Sequence, residues 1–233
     1  MTRQSSIRVL AHGSFGHAVG GYLDALSGPD RCDIRAVRLP FSRGLHSFLA
    51  EGMLGVLATH RDLSADLEAF AATAEAVRLT WLAVALSPGH VRVGPLIIPG
   101  AAPCQACYSA RSAQHGRLST GLEQAFEQDD DLGIDGFPPH IAAMAAGLAL
   151  ALARPTAVPG GTGPGSTAPR GDVYMIDMAS DAVSSGSVIP VHGCQTCEPG
   201  PQSGRMLPAG VDRLRALARR ICPPPEHQEM RAS

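Results

Sequence analysis

Four cysteines in two identically spaced pairs constrain this chain more than any other feature. Cys104 and Cys107 form one C-x-x-C turn, and Cys194 and Cys197 form a second one far along the sequence. Such a turn brings two sulfurs within reach of one tetrahedral ion. Two turns complete an all-thiolate set, which suits zinc. Four protein ligands leave no position for water or substrate, so the spacing predicts a structural ion. Ligands this far apart tie the middle of the chain to its C-terminal region, and ion binding then becomes part of the folding free energy. Other uses of the same pairs stay open. A disulfide pair is disfavoured in a reducing compartment. A redox C-x-x-C belongs at a helix start after a strand, which fits Cys104 but leaves the second pair unexplained. An iron–sulfur cluster takes the same four thiolates. Cys32 and Cys222 have no partner at matching spacing and read as buried or incidental thiols.

A chain held this way still needs a core. Hydrophobic residues make up 45% of the 233 residues and charged ones 17%, enough for one generous domain. Aromatics are only 4%, so small and aliphatic side chains must fill the interior and a metal clip adds what packing lacks. The net charge of −2 advertises neither nucleic acid nor an anionic membrane as a partner. No apolar run approaches the roughly 20 residues of a spanning helix. The N-terminal residues lack the apolar region and cleavage site of a secretory signal. Together these features predict a cytoplasmic protein. All 19 basic residues are Arg, and there is no Lys and no Asn. Mechanisms that need lysine or asparagine are therefore closed to this chain.

The hydrophobic pattern predicts an α/β fold. Ile7–Leu10 reads as a short buried strand, followed by a glycine-bearing turn, a helix near His17–Leu26 and a second strand over Asp33–Leu39. This is a β-turn-α-β opening of Rossmann-like character. Phe41–Leu79 reads as mainly helical with breaks at Gly44 and Gly52–Gly55, and Asp62 or Ser64 as the cap of a helix through Leu67, Phe70, Ala74 and Val77. Strands are expected at Trp81–Leu86, Val91–Pro99, Asp172–Met178 and Ser187–His192. The acidic Glu127–Asp131 stretch reads as a solvated loop, and Pro139–Leu152 as a small-residue helix. Residues 1–222 are expected to form one domain, with a mobile loop at about 155–171, a basic helix at Val211–Ile221 and a disordered tail at 223–233.

The turn after the first strand bears on nucleotide binding. The dinucleotide fingerprint wants Gly where the backbone turns tightly and where it approaches phosphate. Here Ala11 stands at the first position, leaving Gly13, Ser14 and Gly16 as a weak, vestigial version. The second strand ends Val37-Arg38-Leu39-Pro40, with no acid for a ribose. A close strand-to-helix turn without ligand explains the same glycines. His12 and His17 flank the turn, and His192 lies two residues before Cys194, within reach of a thiolate. No Ser/His/Asp or paired-carboxylate signature stands out.

Val93-Gly94-Pro95-Leu96-Ile97-Ile98-Pro99-Gly100 followed by Pro103-Cys104-Gln105-Ala106-Cys107 resembles the segment leading into the first C-x-x-C of ThiF-like cyclodehydratase partner proteins. Gly136-Phe137-Pro138-Pro139 with its helix, and Val191-His192-Gly193-Cys194-Gln195-Thr196-Cys197, resemble later parts of the same family, so the likeness runs from about Ile7 to Pro199. The resemblance implies a ThiF-type α/β fold with a four-cysteine structural zinc site. It also implies a role in making thiazole- and oxazole-modified ribosomal peptides. In such pathways the ThiF-like partner is usually a scaffold presenting the precursor peptide, while a YcaO-type subunit consumes ATP to activate a backbone amide. The wider superfamily adenylates protein C-termini with Arg, Lys and Asn near the phosphates and an Asp serving magnesium. This chain lacks Lys and Asn, and Trp81–Pro88, where that Asp would fall, has no acid. The expectation is a docking subunit that keeps fold and zinc but not the ATP chemistry. The β-turn-α unit begins within the first ten residues, so the expectation is either that a separate polypeptide recognises the leader peptide or that this chain binds its partner differently. Superfamily members often dimerise, and the resemblance extends to a homodimer.

Overall fold

The computed structural model describes residues 7–28, 32–37, 45–50, 53–114, 120–129, 131–153 and 171–197. The expected loop before Gly171, the helix at Val211–Ile221, Cys222 and the tail at 223–233 lie outside the described residues.

The chain is a mixed α/β structure with one seven-stranded sheet. In chain order the elements are β1 (Ile7–His12), α1 (Gly13–Ser27), β2 (Cys32–Ala36), α2 (Leu45–Ala50), β3 (Leu54–Thr59), α3 (Ser64–Ala76), β4 (Thr80–Ser87), β5 (His90–Val93), α4 (Gln105–Gln114), α5 (Thr120–Gln128), α6 (Pro139–Ala153), β6 (Asp172–Asp177) and β7 (Val183–Ser187). The strand order is β2-β1-β3-β4-β5-β6-β7. β1 to β4 pair in parallel, and from β4 onward every pairing is antiparallel.

Two apolar layers enclose the parallel half. On one face Val9, Val56, Leu82 and Val84 pack under Phe15, Val19 and Leu23 of α1 and Ile141, Ala145, Ala149 and Leu152 of α6. On the other, Leu10, Leu57, Trp81 and Ala83 pack under Phe48 and Leu49 of α2 and Leu67, Phe70 and Ala74 of α3. Strands covered on both faces need apolar side chains at every position rather than at alternate ones. β3, Leu-Gly-Val-Leu-Ala-Thr, is buried throughout. That corrects the helical expectation for Phe41–Leu79: a six-residue apolar run carries no period that separates strand from helix. The cap expectation is corrected too. α3 follows Leu63 with no side-chain cap, because Asp62 is bound elsewhere. The last strand lies earlier than expected, at Val183–Ser187 rather than Ser187–His192. Its Val-Ser-Ser-Gly-Ser sequence is wholly exposed, so burial left no pattern to find. Glu127, expected in a loop, ends up within α5.

Gly16 shows how tightly α1 meets the sheet. A Cβ there would lie 2.3 Å from the backbone oxygen of Ala58. The obstacle is main chain of a central strand and cannot turn aside. Gly16→Ala is expected to destabilise the fold by about 1–3 kcal/mol, as overpacking does. Urea unfolding checks this, and a variant as stable as the parent would show that α1 can shift.

Candidate metal centre and glycine crevice

The first knuckle forms where the chain leaves β5. Cys104 stands just ahead of α4, and Cys107 lies in its first turn, buried. The second knuckle follows β7. Arg111 of α4 donates from Nε to the Ile189 carbonyl and from Nη2 to the Pro190 carbonyl, both at 3.2 Å, anchoring the incoming segment. A turn closed by the Cys194 amide on the Val191 carbonyl at 3.1 Å then presents Cys194.

The sulfurs of Cys104, Cys107, Cys194 and Cys197 all lie within 4.8 Å of one another. Cys104 Sγ is 3.8 Å from Cys107 Sγ and 3.6 Å from Cys194 Sγ, and Cys107 Sγ is 3.6 Å from Cys197 Sγ. None of these is a disulfide. A tetrahedral ion about 2.3 Å from each sulfur sets neighbouring sulfurs about 3.8 Å apart, so this group could hold a metal ion. The Val191 amide points at Cys107 Sγ at 3.3 Å, the kind of donor that steadies a thiolate. Burial pushes the Cys104 and Cys197 thiols up. Burial also acts on Cys194, but the Cys197 and Thr196 amides and the Cys104 and Cys107 thiols outweigh it and bring it down to about 6. Without a cation, four thiolates this close repel one another; a divalent ion removes that conflict. His192 is exposed and outside the group.

The glycine turn lies at the carboxyl ends of β1 and β3. Each of its three residues has a local role. Gly13 adopts φ +69° and backs directly onto the His60 ring. The Ser14 hydroxyl donates to Asp135 at 3.1 Å. Gly16 packs on β3. His12 is buried with Nδ1 3.3 Å from the Thr59 hydroxyl, and His17 is exposed. A crevice of about 420 Å³ opens here.

Two buried ion pairs go unannounced in the sequence. Arg61, 1% exposed, donates to Asp66 from Nε at 2.7 Å and Nη2 at 3.3 Å. Its Nη1 reaches the carbonyls of Phe126, Asp129 and Leu132, which ties the segment after α5 over the end of β3. Arg92 donates to both Asp62 oxygens, at 2.9 and 2.7 Å, and to the Gly94 carbonyl, under the Tyr108 ring. The nearest sequence signal is a charged residue flanking or interrupting an apolar strand, which gives no partner. Asp62 also borders a larger cavity of about 620 Å³ shared with Ser87, His90, Tyr108, Arg111 and Glu123. Ser87 and His90 face each other across the β4–β5 hairpin.

No family model matches the chain, and neither does any curated protein. Solved structures do match. The chain is similar to the heterocyclase TruD, at TM-score 0.57 and 16% identity, over 83% of this chain and 27% of that one. It is similar to the E. coli microcin synthetase McbBCD complex, at TM-score 0.57 and 11% identity, over 82% of this chain and 67% of the matched one. It is also similar to E. coli MccB, at TM-score 0.54 and 11% identity, over 85% of this chain and 66% of that one. The chain thus spans about a quarter of the heterocyclase's length. At these identities the likeness is one of fold.

Proposed function

We propose that residues 1–222 form a single ThiF-like, Rossmann-related domain. In this reading Cys104, Cys107, Cys194 and Cys197 hold one structural zinc ion. The domain acts as a non-catalytic docking subunit for a YcaO-type cyclodehydratase that installs azoline rings in a ribosomal precursor peptide. The observation that carries this reading is the fold match to the heterocyclase TruD over 83% of the chain. The likeness to the microcin synthetase complex supports it. The four-sulfur cluster, in the place the resemblance implies, supports the zinc. Zinc would supply cross-linking and no chemistry at a substrate, because all four positions are filled by thiolates.

The side chains present support this division of labour. Activating a backbone amide with ATP needs cationic groups converging on phosphates. Arg61 and Arg92, the two buried arginines among the described residues, are committed to Asp66 and Asp62. The partner subunit would therefore supply ATP chemistry, and this chain would hold the peptide and the partner together, as a homodimer or a heteromer in the cytoplasm. No helix among the described residues is long and apolar enough to cross a membrane. The competing reading, an adenylating enzyme, has one observation in its favour: MccB solved with ATP shares the fold at TM-score 0.52.

Reconstitution separates the two. Precursor peptide, ATP and a YcaO-type partner are expected to yield azolines, read as loss of one water per ring by mass spectrometry, only when this chain is added. This chain alone is expected to release neither AMP nor pyrophosphate. ATP cleavage by this chain alone would make it an enzyme and end the docking reading.

A further inference from the structure

A nucleotide is the ligand this type of fold implies, and the crevice at the ends of β1 and β3 is where it would go. The chain leaves β1 for β2 on one side and returns to β3 on the other, and open α/β sheets bind ligands where the strand order reverses in this way. α1 starts here with no side-chain cap and no acidic residue in its first turn, so its N-terminal amides are suited to a phosphate.

The residues present do not fit that ligand, because His60 is in the way. A Cβ on Gly13 would lie 2.2 Å from His60 Cγ and Nδ1, and a Cβ on Gly133 would lie 2.3 Å from Cε1 and Nε2. The ring is therefore slotted between two glycine backbones. Gly13 is open to close approach, but the approaching group is this imidazole. His60 is 4% exposed, and neither ring nitrogen has a hydrogen-bond partner among the described residues. The His12 ring meets it edge-on at 4.6 Å. Its covering strap is fixed: the Ile134 amide donates to the His60 carbonyl at 2.9 Å, and Arg61 holds the carbonyls just before it. Burial lowers the His60 pKa, and Asp135, 3.9 Å away, only partly offsets this. The ring is thus an uncharged obstacle where a phosphate would want a cation.

We propose that His60 is a plug over Gly13: the crevice beside it stays open, but the ring denies a phosphate the glycine backbone, so that the chain excludes nucleotides by steric occupation of that space. This rests on the docking reading, in which the chain has no use for ATP, and it names the residue that enforces the exclusion.

The test is binding of Mg·ATP and of pyrophosphate to the full chain by calorimetry, with metal content and thermal unfolding checked on each sample. The parent protein is expected to show no saturable binding. His60→Ala removes the ring and should raise affinity by about tenfold or more. His60→Phe keeps the bulk without the nitrogens and should stay closed, and it remains informative if the alanine variant does not fold. Saturable ATP binding by the parent or by His60→Phe overturns the plug, as does a folded His60→Ala that gains nothing. Binding by the parent without turnover sinks only the plug. Turnover by the parent sinks the docking reading as well. Failure of azoline formation alongside a gain in His60→Ala sinks the docking reading and leaves the plug.

Discussion

Treating this chain with a strong chelator is expected to abolish its cooperative unfolding transition, because the four-cysteine group is proposed to hold zinc. The same outcome is expected from Cys107→Ser, whose sulfur is wholly buried among the other three. Magnitudes decide this. A structural zinc site contributes about 10–16 kcal/mol of apparent binding free energy at neutral pH, whereas a whole domain is stable by only about 5–15 kcal/mol. The site also joins Cys104 to Cys194 and Cys107 to Cys197, each pair ninety residues apart. In the chain-entropy treatment of cross-links, closing a loop that long is worth about 4–5 kcal/mol. Among the described residues, Val91, Val93 and Ile176 seat β5 and β6 in the main core, but β7 and the knuckles have little else to hold them. β7 is exposed throughout, and the apolar cluster around the knuckles is the cysteines with Val188 and Val191. Loss should therefore begin with β7 and α4 and spread through β6 to the parallel half. Elemental analysis should give one zinc per chain in a colourless protein. Hydrogen exchange after chelation should show β6–β7 exposed before β1–β4. Metal-free protein that melts as the parent does would mean that packing suffices and the cluster is incidental. Iron and sulfide in a coloured sample would convert the site to a cluster.

What can be seen in the sequence, and what cannot, divides along physical lines. The gathering of four sulfurs is legible because C-x-x-C spacing is itself a geometric constraint, and two copies leave few ways to use four sulfurs. The opening β1-α1-β2 unit is legible because the apolar stretch, the glycine turn and the amphipathic helix each carry a local signal. β3 is hidden because both its faces are covered, which erases alternation. β7 is hidden for the opposite reason: neither face is covered, so no residue is selected for burial. His60 is invisible for a third reason. Its position is set by Gly13 and Gly133, which lie in different parts of the chain, and a histidine after an apolar run says nothing about which glycines will receive it. The three residues of the weak glycine fingerprint show the same limit. Gly13, Ser14 and Gly16 read as a vestigial phosphate turn, and the structure uses them to seat an imidazole, to bind Asp135 and to admit a strand backbone.

The Asp62–Arg92 pair carries the second large effect. Arg92 is 1% exposed and sits on β5 beneath Tyr108. Burial works against its charge, but the Asp62 carboxylate and the Tyr108 ring outweigh burial and hold the guanidinium above its usual range, so it stays charged at any accessible pH. Asp62→Ala leaves that charge buried against the Gly94 carbonyl and the Tyr108 ring, and breaking a buried pair from one side costs about 3–5 kcal/mol. Arg92→Met is expected to cost less. The Asp62 carboxylate left behind is 16% exposed and borders the larger cavity, so water can reach it. The double variant Asp62→Leu with Arg92→Met removes both charges and should recover most of the loss, because the pair's desolvation penalty goes with them. Urea unfolding of the three variants measures the coupling directly. If Asp62→Ala lies within about 1 kcal/mol of the parent, the guanidinium has found water or another acceptor, and Asp62 is only the helix-flanking acid that its sequence position implies.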